Sequence, residues 1–421
     1  MKTPFERFDM SLPPRRTRWF LRPLTILISL PDVLKHHSRI KREIGDLKPP
    51  FLMLCNHNAF LDFKVATKAI FPWRANYVVA IDGFIGREKL LRDVGCICKR
   101  KFTSDPQLVR QLKKTIQNGD VAIIYPEARY SLCGTTAVLP SSLGKLCKYL
   151  KVPVVTLICH GHHINSPFWN LHDRGIRTEA EMKVLFTPQQ LEAASPDEVN
   201  DALVKAFKYD DFAWQKANGI TVDYPKRAEG LHKVLYQCPS CKTEFRMETR
   251  DDTLSCGHCG KSWTMNRDGT LTAVQGDTEF SHIPDWYEWQ RANVREEVRN
   301  GTYSSGPLSV TVDTLPNAKA FVRLGQGTMV HDMNGFKVTG TDTDGDFFQM
   351  IKPVPSLYSC HIEYDYLGKH GDCVDLNTLE DTWYVYPKGR DFSVTKMALA
   401  TEELYFDYRQ KNGNPCRPGL A

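Results

Sequence analysis

Residues 51–63 read FLMLCNHNAFLDF, and this stretch indicates how the first half of the chain folds. Phe51 to Cys55 is an apolar run of the length typical of a buried strand, and the apolar periodicity from Phe60 to Ile70 predicts a helix. His57 and Asp62 therefore lie at a strand-to-helix junction. A neutral histidine can accept a proton near neutral pH, while an aspartate holds its other ring nitrogen. The pair suits removal of a proton from an alcohol, although a merely structural junction histidine would show the same spacing.

Three further blocks follow along the chain. They read GCICKRK over residues 95–101, YPEARYS over residues 125–131 and VPVVTL over residues 152–157, in a run that ends at Gly161. In this order and at these separations, the four blocks resemble those of the glycerophospholipid acyltransferase superfamily, which includes the lysophosphatidic acid acyltransferases. The resemblance covers roughly residues 20–225. It implies an α/β fold with a mostly parallel sheet flanked by helices.

The resemblance also implies roles for individual residues. The first block of the superfamily is His-x4-Asp, so His57 and Asp62 are the implied catalytic pair. Lys101 stands where the second block has arginine. Tyr130 stands where the third block has arginine, and Arg129 lies one place early. The implied substrate-binding residues, with the cations offering charge to a phosphate, are Glu127, Arg129, Ser131, Lys99, Arg100 and Lys101.

Basic residues surround an interrupted apolar run near the start of the chain. A transmembrane helix needs about 20 apolar residues, but the run from Trp19 to Leu30 is broken by Arg22 and Pro23, so no span is expected. A signal peptide is not expected either, because no cleavage pattern follows. The apolar positions from Val33 to Ile44 predict an amphipathic helix on an anionic membrane surface. This would place the chain in the cytoplasm, peripheral at the inner membrane face; a helix that merely covers the catalytic domain is the alternative.

Strand and helix signals alternate after the first block, which favours a parallel sheet that brings the blocks to one end. The predicted strands are Tyr77–Ile81, Val121–Tyr125 and Val152–Cys159, and the predicted helices are Arg87–Val94, Pro106–Asn118, Leu143–Leu150 and Pro196–Phe207. Asp105 and Ser195 are the expected N-caps of two of these helices. His160, His162 and His163 follow the last strand. Neighbouring loop side chains seldom converge on one ion, so these histidines are expected in a pocket wall or at the surface.

Two Cys-x2-Cys knuckles form the second specific signal. Cys238 and Cys241 precede Cys256 and Cys259 by the spacing of a four-cysteine zinc ribbon, and residues 238–271 carry the alternating apolar positions of small hairpins. Structural zinc is the expected cofactor, since so small a unit has little core without a metal. Two disulfides are the alternative, but the remaining cysteines are scattered singly and no signal peptide is expected.

The last third of the chain reads mostly as strand. A connecting helix is predicted over Ser281–Arg299 and ends at Asn300-Gly301. The predicted strands are Ala320–Leu324, Phe347–Ile351, Leu357–Tyr366 and Trp383–Tyr386, followed by a helix over Val394–Tyr408. A strand series closed by one helix is similar to the pleckstrin-homology-like fold. Asp342, Asp344 and Asp346 lack the glycine and glutamate spacing of a calcium loop and are expected in a hairpin turn.

Composition sets the limits for these domains. The chain has 421 residues, 42% hydrophobic and 25% charged, which is ordinary for folded domains and too long for one simple core. The formal charge of +6 argues against a dedicated nucleic-acid binder. The sequence divides into a basic amphipathic segment (1–45), an acyltransferase domain (46–225), a zinc ribbon (234–275), a connecting helix (276–301) and a β-rich domain with a C-terminal helix (302–421).

The function implied by the resemblance is acyl transfer at a membrane surface. The donor is a thioester, either acyl-coenzyme A or acyl carrier protein, and the acceptor is the hydroxyl of a lysophospholipid. Lysophosphatidic acid, giving phosphatidic acid, is the acceptor expected first, with His57 as general base and Asp62 orienting it. Two alternatives stay open: an enzyme acting on another lysolipid or polar acceptor, and a zinc-ribbon adaptor that is catalytically inactive.

Overall fold

The structure is a computed structural model that describes residues 6–368 and 371–421. The first five residues of the predicted N-terminal segment, and residues 369 and 370 of the predicted β-rich domain, lie outside the described residues.

Apolar strands in the first half of the chain build a mixed sheet. The strands are β1 (Arg39–Glu43), β2 (Leu52–Cys55), β3 (Ala75–Ala80), β4 (Cys96–Lys99), β5 (Val121–Ile124), β6 (Val154–His160) and β7 (Glu179–Phe186). They lie side by side in the order β1-β7-β6-β2-β5-β3-β4. From β6 to β4 neighbouring strands run parallel, whereas β7 is antiparallel to β6. The predicted, mostly parallel sheet is therefore confirmed.

This part of the chain also contains helices. They are α1 (Leu21–Lys35), α2 (Leu61–Ile70), α3 (Glu88–Asp93), α4 (Pro106–Gln117), α5 (Leu143–Leu150), α6 (His162–Asn165), α7 (Pro188–Ala193), α8 (Pro196–Ala206), α9 (Asp211–Ala217) and α10 (Leu231–Val234). Helices α2, α3, α4, α5 and α8 lie where the sequence predicted them. The Asp105 carboxylate accepts the N–H groups of Gln107 and Leu108, and Ser195 forms a capping box with Glu198. These side chains satisfy backbone donors that the first turn leaves without partners.

The helix predicted from Val33 to Ile44 is wrong beyond Lys35. Helix α1 ends there, and His37 adopts a φ of +43°. Arg39 to Glu43 then form strand β1, which pairs in parallel with β7. The spacing of the apolar residues fits a helix, but pairing with a distant strand satisfies the same backbone groups and buries Ile44.

The two knuckles lie in a small antiparallel sheet. Its strands are β8 (Met247–Arg250), β9 (Thr253–Cys256), β10 (Ser262–Met265) and β11 (Leu271–Ala273) in the order β11-β10-β9-β8. Trp263 on β10 is fully buried and packs edge-on against Trp286, with ring centroids 5.0 Å apart. Trp286 belongs to the connecting helix α11 (Ile283–Arg299), which ends at Asn300 as predicted.

The C-terminal part is an antiparallel sheet followed by one helix, α12 (Val394–Lys411). Its strands are β12 (Leu308–Thr314), β13 (Val322–Asp332), β14 (Gly335–Asp342), β15 (Phe347–Pro353), β16 (His361–Glu363), β17 (Cys373–Asn377) and β18 (Thr382–Pro387), in the order β15-β14-β13-β12-β18-β17-β16. Asp342 accepts the N–H groups of Asp344 and Asp346 in the β14–β15 turn, which confirms the hairpin prediction. The pleckstrin-homology-like assignment stays a prediction.

The strand predicted over Leu357–Tyr366 is too long. Strand pairing there covers His361–Glu363, and short 3-10 helices lie on either side at Val354–Ser356 and Tyr366–Gly368. Pro355 has no N–H to donate to a ladder, and Leu367 has a φ of +56°, so the backbone on both sides leaves the extended conformation.

Candidate active site

The sequence blocks meet at the carboxyl ends of the parallel strands. His57 follows β2, the YPEARYS block follows β5, and His162 follows β6. Because these strands are neighbours and run in the same direction, their following loops lie at one edge of the sheet. The predicted gathering of the first and third blocks is confirmed.

Asp62 is the centre of the site. One of its oxygens, Oδ2, accepts Nδ1–H of His57 at 3.0 Å and the backbone N–H groups of Asn58 and Ala59 at 2.6 and 3.0 Å. The other oxygen, Oδ1, lies 2.5 Å from Nδ1 of His162. Burial opposes ionisation of this carboxyl, but the hydrogen bonds from His162 and His57 outweigh it and lower its pKa to about 2. Asp62 is therefore an ionised carboxylate in a buried position.

His57 is held by Asp62 and remains partly open to solvent. Its side chain is 24% exposed, whereas that of Asp62 is fully buried. The hydrogen bond to Asp62 occupies Nδ1, so the second ring nitrogen, Nε2, is the one left to accept a proton. Tyr125 and Tyr130 pack on the imidazole, each with its ring centroid 4.4 Å away.

Glu127 and Ser131 organise the backbone around His57. Both are buried. The Glu127 carboxyl accepts the N–H of His57 at 3.1 Å and that of Ala137 at 2.8 Å, while the N–H of Ser131 donates to the carbonyl of His57 at 2.8 Å. Burial raises the pKa of Glu127 to about 8, against those two hydrogen bonds. The structure thus gives these two predicted substrate-binding residues a positioning role.

The predicted phosphate-binding cations point elsewhere. Lys99 donates to the carbonyl and hydroxyl of Thr103. Arg100 is 1% exposed and donates to groups of the C-terminal part, namely the carbonyl oxygens of Leu315, Pro316 and Glu380 and the hydroxyl of Thr382. Arg129 is buried in an ion pair with Glu402 of α12 at 2.7 Å. The family resemblance assigned these side chains to a substrate, and the sequence could not reveal the partners of Arg100 and Arg129 because those partners lie far along the chain.

Lys101 is enclosed by acidic residues from both parts of the protein. Its Nζ lies 3.2 Å from Oδ2 of Asp82, 3.5 Å from Oδ2 of Asp375 and 3.1 Å from Nε2 of His361. Burial disfavours the ammonium, but Asp82 and Asp375 outweigh it and raise the pKa of Lys101. The lysine is a fixed charge in an internal cluster, hereafter the Lys101 cluster: Lys101, Asp82, His361, Glu363 and Asp375.

His162 is the site residue that the sequence prediction missed. Gly161 precedes it with a φ of +81°, and a Cβ there would meet Trp214 at 2.6 Å, so the turn after β6 requires glycine. Asn56 joins the ends of β2 and β6 by exchanging two 2.8 Å hydrogen bonds with the backbone of Cys159. His162 itself is fully buried against Asp62. The spacing could not reveal this pairing, because it depends on the sheet order.

His160 and His163, the neighbours of His162, do not join the site. His163 packs against Trp169 and Phe212 in the core, where burial lowers its pKa to about 3. His160 stacks on Trp214 and stays partly exposed. The expectation of a pocket wall or surface position therefore holds for His160, while His163 lies deeper than expected.

The knuckle cysteines converge as a metal site requires. Their sulfurs lie within 4.8 Å of one another. Cys238 and Cys259 are 3.8 Å apart, as are Cys241 and Cys256. A tetrahedral zinc ion with Zn–S bonds of about 2.3 Å separates its sulfurs by about 3.8 Å, so the four thiols fit such an ion. These four cysteines can hold a metal ion. Two further groups of potential ligands are internally paired, His361, Glu363 and Asp375 around Lys101, and Asp62, Cys159 and His162 beside His57.

Helix α1 turns an apolar face outward next to the site. We name it the apolar stripe; its exposed residues are Phe20, Leu24, Leu27, Ile28 and Leu34. An ion pair between Asp32 and Lys64 joins α1 to α2, which carries Asp62, and the exposed Phe60 precedes α2. Among the described residues, none of the helices combines the length and apolarity of a membrane span.

These features define a mixed α/β domain with a His–Asp pair at the carboxyl edge of its sheet, followed by a unit with four convergent cysteines and an antiparallel sheet. Comparison of the sequence with known protein families found no match, and comparison with curated proteins found none either. Among solved structures, the chain is similar to the 1-acyl-sn-glycerophosphate (LPA) acyltransferase of Thermotoga maritima. The identity is 14% and the TM-score 0.38, over 45% of this chain and 77% of that chain.

Proposed function

We propose that this protein transfers a fatty acyl group from a thioester donor to a lipid-borne hydroxyl at a membrane surface. The observation that carries the proposal is the partly exposed His57, held through Nδ1 by a buried, ionised Asp62. An imidazole held in this way presents its other nitrogen as a general base. The four sequence blocks that resemble the acyltransferase superfamily add the reaction class.

The reaction needs one proton carrier. As the acceptor oxygen attacks the thioester carbon, Nε2 of His57 takes the hydroxyl proton and a C–O bond forms. When the tetrahedral intermediate collapses, the C–S bond breaks and the leaving thiolate takes the proton back from the imidazolium. Asp62 stabilises that imidazolium and fixes the orientation of the ring. The products are an ester and a free thiol, and no covalent acyl-enzyme is needed.

The apolar stripe supports work at a membrane. Its leucines, isoleucine and phenylalanine face solvent, and this arrangement favours insertion into the boundary between headgroups and acyl chains. Because α1 packs on α2, a membrane bound there would contact the helix that supports the Asp62-bearing α2. We propose peripheral binding at the inner membrane face, with acyl-coenzyme A or acyl carrier protein reaching the site from the cytoplasm.

The acceptor of this proposal is a lipid hydroxyl. Lysophosphatidic acid, with phosphatidic acid as the product, is the acceptor that the sequence resemblance implies. The contacts of Lys101, Arg100 and Arg129 favour another polar acceptor, because each of these cations already has partners within the protein. The same contacts favour the second candidate function, an inactive adaptor, but the assembled His57–Asp62–His162 arrangement argues against it.

The four-cysteine unit has a structural part in this proposal. Zinc held by Cys238, Cys241, Cys256 and Cys259 would fix the ribbon against α11. The four cysteines belong to a unit whose strands form a sheet separate from the one that carries His57 and Asp62, so we assign the zinc no part in acyl transfer.

The test is thiol release from acyl-coenzyme A and from acyl carrier protein with a panel of lysolipids in vesicles, with mass detection of the acylated product. Transfer that falls by at least about a hundredfold in His57→Ala supports the proposal. Wild-type activity in that variant would refute the catalytic assignment. Absence of transfer to every acceptor by the unaltered protein would favour the adaptor.

A further inference from the structure

We infer that the acceptor hydroxyl lies on a neutral polyol headgroup, such as the glycerol of a monoacylglycerol, and not beside a phosphate monoester. This inference rests on the proposed acyl transfer and names its substrate class. It begins from the cations at the carboxyl edge of the sheet, where a phosphate would be bound.

The Lys101 cluster has no cation available for a phosphate. Lys101 lies between Asp82 and Asp375, so its charge is already matched by a carboxylate on each side. A phosphate brought to Lys101 would meet both carboxylates at close range, and like charges repel strongly where water is excluded. Asp375 belongs to β17 and Asp82 to the short 3-10 helix Ile81–Phe84 that follows β3, so both carboxylates are held by regular structure.

Arg100 and Arg129 also have their partners within the protein. Arg100 makes four hydrogen bonds to the C-terminal part, two of them at 2.8 and 2.9 Å through Nη1. Arg129 is paired with Glu402, and both side chains are almost fully buried. Releasing either arginine would break buried hydrogen bonds to its partners, a cost that a substrate phosphate would have to offset.

Aromatic groups pack beside His57, around its ring. Tyr125 and Tyr130 cover the imidazole. Phe168 packs against Tyr130, with ring centroids 5.9 Å apart, and also packs against His361 of the Lys101 cluster. The Tyr125 hydroxyl is buried and has no hydrogen-bond partner among the described residues. A phenol of this kind can donate to a substrate hydroxyl, and aromatic faces accept the C–H surface of a polyol. These groups offer a substrate one phenol hydrogen bond and two ring faces beside His57.

The experiment compares two acceptors that differ only in the phosphate. 1-Oleoylglycerol and 1-oleoyl-lysophosphatidic acid are offered in the same neutral phosphatidylcholine vesicles, with the donor thioester that the unaltered protein uses. We expect kcat/KM for 1-oleoylglycerol to be higher by at least about tenfold, because the phosphate would enter without a counterion. Equal or better use of lysophosphatidic acid would overturn this inference and leave acyl transfer standing.

Two controls separate the possible failures. His57→Ala must abolish the transfer. Transfer to neither of these acceptors, but to another lysolipid of the panel, overturns this inference alone; absence of transfer to every acceptor overturns the proposed function as well. Asp375→Asn, checked for folding by its thermal transition, removes one of the two carboxylates that would repel a phosphate at Lys101. We expect the preference for 1-oleoylglycerol to narrow in this variant. An unchanged preference would mean that the carboxylates around Lys101 do not exclude the phosphate, and would overturn the inference.

Discussion

Arg129 and Glu402 form a buried ion pair that joins the loop after β5 to helix α12, with Nη2 and Oε1 2.7 Å apart. Glu402 also accepts hydrogen bonds from Arg291 and Ser359, each at 2.7 Å. Burial opposes the charge on Glu402, but Arg129 and Arg291 outweigh it and lower its pKa. The Glu402 carboxylate therefore links the first half of the chain, through Arg129, to the last helix.

Replacing that carboxylate should destabilise the whole protein. Glu402→Gln removes the ion-pair partner of the buried Arg129 and one of the carboxylates that Arg291 contacts, so we expect the free energy of unfolding to fall by about 3 to 5 kcal/mol. Urea unfolding monitored by tryptophan fluorescence measures the change. Glu296→Gln on the exposed side of α11 is the matched control and should stay within about 0.5 kcal/mol. Equal stability of the two variants would contradict a structural role for the pair.

His162 should act as a positioning residue for the His57–Asp62 pair. His162→Leu removes the donor to Oδ1 of Asp62, and we expect kcat to fall about 10- to 100-fold with little change in KM, since the base loses its fixed orientation. His162→Asn keeps an N–H near the Nδ1 position and should recover much of that loss. If both variants fold and both match the unaltered protein in kcat, the assigned role is wrong.

The buried Glu127 should make stability fall as pH rises. Its pKa is 4.5 in an unfolded chain and about 8 in the folded protein, so folding favours the protonated form. Its contribution to stability is complete below pH 4.5 and is lost as pH rises through 8, by about 5 kcal/mol at most. Urea unfolding at pH 5 and pH 8 tests this. Glu127→Gln cannot ionise and should show a smaller difference between the two pH values, although its amide donor faces a backbone N–H and lowers stability at both. An unchanged difference would exclude Glu127 as the titrating group.

Metal removal should unfold the ribbon. The purified protein should contain about one zinc ion per chain, and a strong chelator should release it and change the fluorescence of the buried Trp263. Cys256→Ser should give the same fluorescence change without chelator. Cys416→Ser, which alters a cysteine outside the cluster, should bind zinc normally. Retention of the native signal after complete removal of the metal would argue against a structural ion.

The apolar stripe should govern membrane affinity. Leu27 and Ile28 are 65% and 61% exposed, so Leu27→Asp with Ile28→Asp should leave the fold intact while lowering partitioning onto anionic vesicles at least about tenfold. Vesicle sedimentation measures the partitioning. Leu90→Asp changes a leucine that is 51% exposed on α3 and should have little effect. Equal losses in the two variants would show that general hydrophobicity, and not the stripe, drives binding.

Local signals in the sequence predicted much of the fold. The helix starts at Asp105 and Ser195 and the strand at β2 depend on neighbouring residues, and each is observed as expected. Strand β1 was missed because its identity depends on pairing with β7, far along the chain. Short-range patterns carry no information about such pairing.

The candidate site divides in the same way. His57 and Asp62 lie within one block, so their pairing could be predicted. His162 meets Asp62 only because β6 lies beside β2, and Arg100 and Arg129 find partners in the C-terminal part. Positive charge in a block predicts electrostatic attraction, but the sequence does not say whether the anion belongs to a substrate or to the protein itself.

The ion pair between Arg129 and Glu402 has a consequence for biosynthesis. During translation the α/β half emerges first. Arg129 has no ion-pair partner until Glu402, 273 positions later in the sequence, has left the ribosome. Contacts of such long sequence separation form slowly, and the exposed intermediate is prone to aggregate. The α/β half is therefore a poor candidate for expression by itself, and nascent chains of this protein should depend on chaperones until α12 has docked.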